Sequence, residues 1–127
     1  MPNLKPFTVL HSETGIDVVL LRGEIDHHDG APRLDKTLER LKDKRATKVL
    51  LDFRDVTYCC SAGIASILDA AETLRTWSGV LVCAAVSGSA REPMDLLNIP
   101  DVISFFDAVS EAFDALEHGT VSAFPLN

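Results

Sequence analysis

Hydrophobic and polar positions alternate along this chain with two periods, and the changes of period predict nine elements. Phe7-Thr8-Val9-Leu10-His11 and Ile16 to Arg22 are apolar runs separated by Ser12-Glu13-Thr14-Gly15, the pattern of a β-hairpin. Gly23 to Gly30 reads as a polar loop. Pro32 then suits the first turn of a helix in which Leu34, Leu38 and Leu41 recur among charged residues. Val49 to Phe53 returns to a strand. After a short polar turn, Ser61 opens a helix whose inner face carries Ile64, Ile67, Leu68, Ala71 and Leu74, with its end near Ser78-Gly79. Val80 to Val86 is apolar on both faces, as expected of the deepest strand, covered on each side. Ser87-Gly88-Ser89 breaks that run, and a short helix from about Ala90 to Leu97 stops ahead of Pro100. Val102 to Phe106 is a short last strand. Asp107 is placed to cap a final helix in which Val109, Ala112, Phe113 and Leu116 share a face and which Gly119 ends. From residue 120 to residue 127 no period is visible, which predicts a loose tail.

The order β-β-α-β-α-β-α-β-α implies an α/β fold: an antiparallel N-terminal hairpin, then mainly parallel strands, in one mixed sheet packed against about four helices. With 127 residues, 46% of them hydrophobic, one core can be filled, so residues 1–127 are expected to form one domain with its core at about 7–117. The formal charge of −7, with no cluster of Lys and Arg, disfavours a nucleic-acid partner. The start of the chain lacks the apolar run of a signal peptide, and no stretch approaches the length that crosses a bilayer, so a cytoplasmic protein without membrane insertion is expected. Cys59, Cys60 and Cys83 give neither a disulfide framework nor the spaced pairs of a zinc site, and read as reduced, mostly buried thiols.

Candidate chemistry centres on Ser61. A hydroxyl at the start of a helix can serve as an N-cap, and it can also carry a phosphate, which the free N–H groups and the positive helix end would accept. The small neighbours Ala62 and Gly63 would leave that hydroxyl accessible. His27-His28, with Asp26 or Asp29 beside them, invite a metal or general-base reading, but His11 and His118 bring no ligand-like spacing to complete a site. Cys59 and Cys60 stand where a helix start lowers thiol pKa values, yet packing and turn roles are sufficient for them. Asp52 and Asp55 flank the end of the third strand, and a turn role suits Asp55. No nucleophile elbow, phosphate-cradling glycine loop or dinucleotide fingerprint is present, so neither an enzyme nor a cofactor or metal site is expected.

Two stretches taken together carry a family resemblance. Val49 to Leu68, with Asp52-Phe53-Arg54-Asp55-Val56-Thr57-Tyr58 leading into Ser61-Ala62-Gly63-Ile64, resembles the signature of STAS domains, the family of bacterial anti-sigma-factor antagonists. Gly23-Glu24-Ile25-Asp26-His27-His28 resembles their early loop, and Asn98 to Ile103 stands where their late helix end and last strand lie. The resemblance implies a binding module with helices largely on one side of a small sheet. It implies as partner an anti-sigma factor that is also a serine kinase, with phosphorylation of the serine opening the second helix, here Ser61, ending the binding, and a serine phosphatase restoring it. The implied partner surface comprises Asp26, His27, His28, Cys60, Ser61, Ala62 and Gly63. Two positions depart from the pattern: Cys60 stands where the switchable antagonists usually have Asp, and Ala62 where Ser or Thr is frequent. A binder that is not switched, or one that answers to a different kinase, therefore stays open. The same serine environment also resembles the STAS subunits of lipid transporters, which dock on an ABC-transporter ATPase.

Overall fold

The structure, a computed structural model, describes residues 4–121. In chain order its elements are β1 (Thr8–His11), β2 (Ile16–Ile25), α1 (Gly30–Asp43), β3 (Lys48–Cys59), α2 (Ser61–Arg75), β4 (Val80–Ala84), α3 (Gly88–Leu96), a 3-10 turn at Ile99–Asp101, β5 (Phe105–Phe106) and α4 (Val109–Glu117). The strands form one sheet in the order β1-β2-β3-β4-β5. β1 pairs antiparallel with β2, and every later pair is parallel. The mixed α/β sheet expected from the periodicity is therefore the observed architecture.

Alternation along the inner strands divides the core in two, because successive side chains point to opposite faces. On one face Val19, Leu21, Val49, Leu51, Phe53, Leu81 and Cys83 meet Leu34, Leu38 and Leu41 of α1, Ile64, Ile67 and Leu74 of α2, and Ala90 and Met94 of α3. The opposite face is smaller: Ile16, Leu50, Val82 and Ala84 pack under Ala112 and Leu116 of α4. Three helices lie on one side and one on the other. β4 is apolar on both faces for this reason, although β3 rather than β4 occupies the middle of the sheet.

Several boundaries differ from expectation, each for a physical reason. β2 runs on through Gly23-Glu24-Ile25, and β3 runs on through Arg54 to Cys59, because the two strands pair with each other beyond the end of their other neighbours. The first three residues of the expected loop and most of the expected turn are thus strand, while Asp26 to Asp29 is a loop as expected. α1 starts two residues ahead of Pro32, at Gly30. β4 stops at Ala84, where Ala85 takes a left-handed backbone (φ 59) while its N–H still donates to the Phe106 carbonyl at 2.9 Å. β5 shrinks to two residues, since Ile99–Asp101 winds into a 3-10 turn and Val102 leaves it exposed. The N-cap of α4 is Ala108 rather than Asp107; its backbone N–H donates to the Glu111 carboxylate at 3.1 Å. Of the tail expected over residues 120–127, residues 122–127 lie outside the described residues.

Candidate functional site

The paired extension of β2 and β3 brings two loops distant in sequence to one end of the molecule. Pairing runs Leu20↔Asp52, Arg22↔Asp55, Gly23↔Val56, Glu24↔Tyr58 and Ile25↔Cys59, so β3 carries an extra residue at two places. Such bulges bend and twist the strand that holds them. Gly23, at φ +77, supplies the left-handed backbone that the bent ribbon needs. Ile25 and Cys59 thereby end level with each other.

Two helices start from this ribbon and both rest on Ile25, which is fully buried. A Cβ placed on Gly30 would lie 2.4 Å from the Ile25 Cα and 2.5 Å from the Glu24 carbonyl oxygen. One on Gly63 would meet the Ile25 Cγ2 at 2.8 Å and the Cys59 Sγ at 3.0 Å. At Gly30 the helix approaches backbone more closely than any residue but glycine permits, and at Gly63 a larger residue would have to displace the Ile25 and Cys59 side chains. The Cys60 N–H completes the clamp by donating to the Ile25 carbonyl at 2.8 Å.

At the α1 start the N-cap position is Asp29, whose own side chain makes no capping bond, and Asp26 upstream closes the helix end instead. Its Oδ1 accepts the Asp29 N–H at 2.9 Å and the Gly30 N–H at 3.1 Å, while its carbonyl accepts the Ala31 N–H at 2.7 Å. Those donors favour the charged form, so the Asp29 N–H first and the Gly30 N–H next hold the Asp26 carboxyl below its ordinary value. His27, His28 and Asp29 point outward. Asp29 makes a loose ion pair with Arg33 at 3.7 Å.

The α2 start is built differently. Cys60, in extended conformation (φ −78, ψ 168), is the N-cap, and no side chain caps the helix. Ser61 is the first helical residue, which corrects the expectation that its hydroxyl serves as the cap. Its side chain and that of Ala62 are exposed, and the first hydrogen bond of the helix runs from the Ile64 N–H to the Cys60 carbonyl at 3.1 Å. The N–H groups of Ser61, Ala62 and Gly63 therefore have no intrahelical acceptor.

The residues expected to share one surface do converge here, with two corrections. Asp26, His27, His28, Ser61 and Ala62 reach solvent, whereas Cys60 is 1% exposed and Gly63 is buried. Those two support the surface from beneath. Burial also reaches the thiols: the Cys59 thiol is pushed up to about 12 by desolvation, and Cys83, wholly enclosed, moves in the same direction.

Other sequence candidates lie elsewhere. Asp52 and Asp55 sit inside β3 rather than in a turn. Asp52 is buried and held by Arg54, whose Nη2 donates to its Oδ2 at 2.7 Å and whose Nε lies 3.1 Å from both oxygens. His11 pairs with the buried Asp17, which Lys44 also reaches at 2.9 Å, at the opposite end of β2. His118 joins Asp114 and Glu117 in an exposed group whose ligand atoms lie within 4.8 Å of one another. Sequence reading missed that i, i+3, i+4 spacing, although exposed acidic groups gather in this way without any ion. Among the described residues no helix is long and apolar enough to cross a membrane.

Comparison with known proteins adds the family. The STAS domain family model matches residues 9–112. Among solved structures, an anti-sigma factor antagonist from Mycobacterium paratuberculosis superposes with a TM-score of 0.78 at 22% identity, over 87% of this chain and 92% of that one. The Bacillus cell fate determinant SpoIIAA in its phosphorylated form gives 0.67 at 19% identity, over 85% and 96%. A sulfate transporter family protein from Wolinella succinogenes gives 0.68 at 13% identity, over 86% and 89%. At these identities the likeness is one of fold.

Proposed function

The chain belongs to the STAS domain family, and from that premise we propose that it is an anti-sigma-factor antagonist: a binding module that engages an anti-sigma factor of serine-kinase type and lets go when Ser61 is phosphorylated. The observation that carries this reading is the exposed Ser61 on an uncapped helix start, clamped beside the Asp26–His28 loop. The partner surface is then Asp26, His27, His28, Ser61 and Ala62, with Cys60 and Gly63 fixing the backbone below.

A phosphoryl group brings roughly −1.5 to −2 charges and three acceptor oxygens. Within the module those oxygens meet the open N–H groups of the first turn and the positive end of the helix dipole, so the fold accommodates them. A partner surface fitted to a neutral hydroxyl does not. Asp26 and Asp29 nearby add to the negative field, so that repulsion grows where the partner surface is itself acidic. Release therefore needs no refolding. A serine phosphatase would reset the module.

The test pairs chemistry with binding. Incubation with ATP and the kinase-type anti-sigma factors of the source organism should place phosphate on Ser61, read by mass spectrometry. In titrations with the same partner, Ser61→Asp should lower affinity at least tenfold while Ser61→Ala retains it. Equal affinities for the two variants would remove the switch. The second reading, a regulatory subunit on a lipid-transporter ATPase, uses the same surface and draws on the fold shared with the sulfate transporter family protein. It predicts copurification with an ATPase and no dependence on the anti-sigma factor.

A further inference from the structure

A second surface lies at the other end of α2. Between the C-terminal half of that helix and the chain linking α3 to β5 runs a groove of about 470 Å³. Its apolar lining includes Leu68, Ala71, Leu81, Leu97, Ile99 and Val102. Leu97 is 58% exposed and Val102 45%, with Leu96 beside them at 78%. The remaining large exposed apolar side chains among the described residues, Leu10 and Tyr58, lie apart on β1 and β3. Single exposed hydrophobics are ordinary, but three within seven residues beside a groove form a patch of the kind that binds something.

The backbone holds that patch open. Asn98 takes a left-handed conformation (φ 57) that ends α3, and the 3-10 turn with Pro100 carries the chain away before β5 can pair. Leu97 and Val102 are thus presented from a short braced segment, with Ile99 and Ile103 buried beneath them. Glu72 on one wall and Asp101 on the other are exposed carboxylates at the groove, and neither has an ion pair among the described residues. Arg75, also lining the groove, is engaged in an interaction of its own.

We propose that this groove is a docking site for a basic amphipathic helix of a partner protein, with Leu, Ile or Met side chains seated on the Leu97–Val102 floor and flanking Lys or Arg side chains paired with Glu72 and Asp101. Charge complementarity selects the class: two exposed carboxylates with no ion pair among the described residues bracket an apolar slot, which suits an occupant that is cationic at its margins and apolar along one stripe. A helix suits the slot better than an added strand. The free edge there is β5, and at two residues it is too short to template one. Leu68 to Arg75 lies roughly 10–21 Å along α2 from Ser61, at 1.5 Å rise per residue. The groove and the serine end therefore present separate surfaces, and this site does not depend on the antagonist reading.

The probe is a fluorescein-labelled 18-residue peptide with Leu at i, i+3, i+4 and i+7 spacing and Lys elsewhere, set against a peptide of the same composition in scrambled order. The ordered peptide should bind at least tenfold more tightly, with amide shifts in 15N-labelled protein concentrated at residues 68–75 and 97–104. Leu97→Asp with Val102→Asp should cost at least tenfold; both side chains are exposed, and circular dichroism checks that the variant is folded. Glu72→Gln with Asp101→Gln should cost several-fold and flatten the salt dependence. Ser61→Asp should change nothing, which separates this site from the antagonist surface. Equal binding of the two peptides, shifts clustered elsewhere, or indifference to the Leu97/Val102 pair would each overturn the proposal. So would a purified dimer that this pair of substitutions converts to monomer, since the groove would then be occupied by a second copy.

Discussion

The starts of α1 and α2 lie side by side on Ile25 and are finished in opposite ways. At α1 a carboxylate from within the chain, Asp26, takes two backbone N–H groups, so the positive helix end is neutralised internally. At α2 the cap position holds Cys60, whose side chain makes no capping bond, and the residue that follows is an exposed serine. One helix end is closed and its neighbour is open. Leaving a cap out costs about 1 kcal/mol in typical helices. An uncapped end beside a capped one marks where charge can be added from outside without displacing a native bond.

That contrast is easiest to break at its support. Gly30→Ala forces a Cβ against backbone atoms of Glu24 and Ile25 that cannot rotate away. It should cost about 3 kcal/mol in urea unfolding, despite the better helix propensity of alanine. Gly63→Ala meets the ends of side chains instead, Ile25 Cγ2 and Cys59 Sγ, which can shift. A loss of about 1–2 kcal/mol is expected. If Gly63→Ala proved the more damaging of the two, the tighter clamp would lie under α2.

Asp26→Ala sharpens the comparison, because it opens the α1 end as the α2 end is open. The melting temperature should fall by roughly a few degrees, as for loss of an N-cap. Asp26 also leaves a pH signature. Its folded pKa is depressed, so its stabilisation is full above the ordinary value of 3.8 and is lost as pH falls through the lower folded value. Asp26→Asn should therefore flatten the acid limb of the stability profile below that pH, and a profile matching the unaltered protein would show that the cap carries no weight.

The smallest effects belong to Ser61. Its hydroxyl makes no capping bond, so Ser61→Ala should leave stability within about 0.5 kcal/mol. Ser61→Asp places a charge at the open end and should stabilise by about 0.3–1 kcal/mol at low salt, fading as salt is added. A destabilised Ser61→Asp protein would mean that the first turn of α2 is not open to charge.

Much of this end of the molecule could be read from the chain. The strand–serine–helix run and the early loop located the two segments, and apolar spacing placed the inner faces of α1, α2 and α4 on the core. Reading failed where pairing overrode local composition. Asp55 to Tyr58 and Gly23-Glu24 look like turns because they are polar, yet Asp55, Val56 and Tyr58 pair with Arg22, Gly23 and Glu24 of the other strand, and Arg54 in the bulge donates its N–H to the Asp52 carboxylate. Ser61 looked like a cap because serine is a good one, and the extended backbone at Cys60 moved the helix boundary by one residue. The groove at Leu97 and Val102 was hidden because Val102 has the composition of a strand residue. Only the 3-10 turn and the shortness of β5 left it in solvent.

Periodicity and residue type alone determined the α/β class and the order of elements, since burying a face requires apolar residues at the spacing of the element that carries it. Tertiary structure decided which residues of the candidate surface reach solvent, which helix start is closed, and where an apolar slot stays open. Exposure and the open slot depend on contacts between segments far apart in the chain, Ile25 against Gly63, Cys60 against Ile25 and α2 against the α3–β5 link, while the closed start of α1 rests on the local bond that Gly30 N–H donates to Asp26. Local preferences are too weak to foresee such contacts, because each is set by the close packing of the whole core.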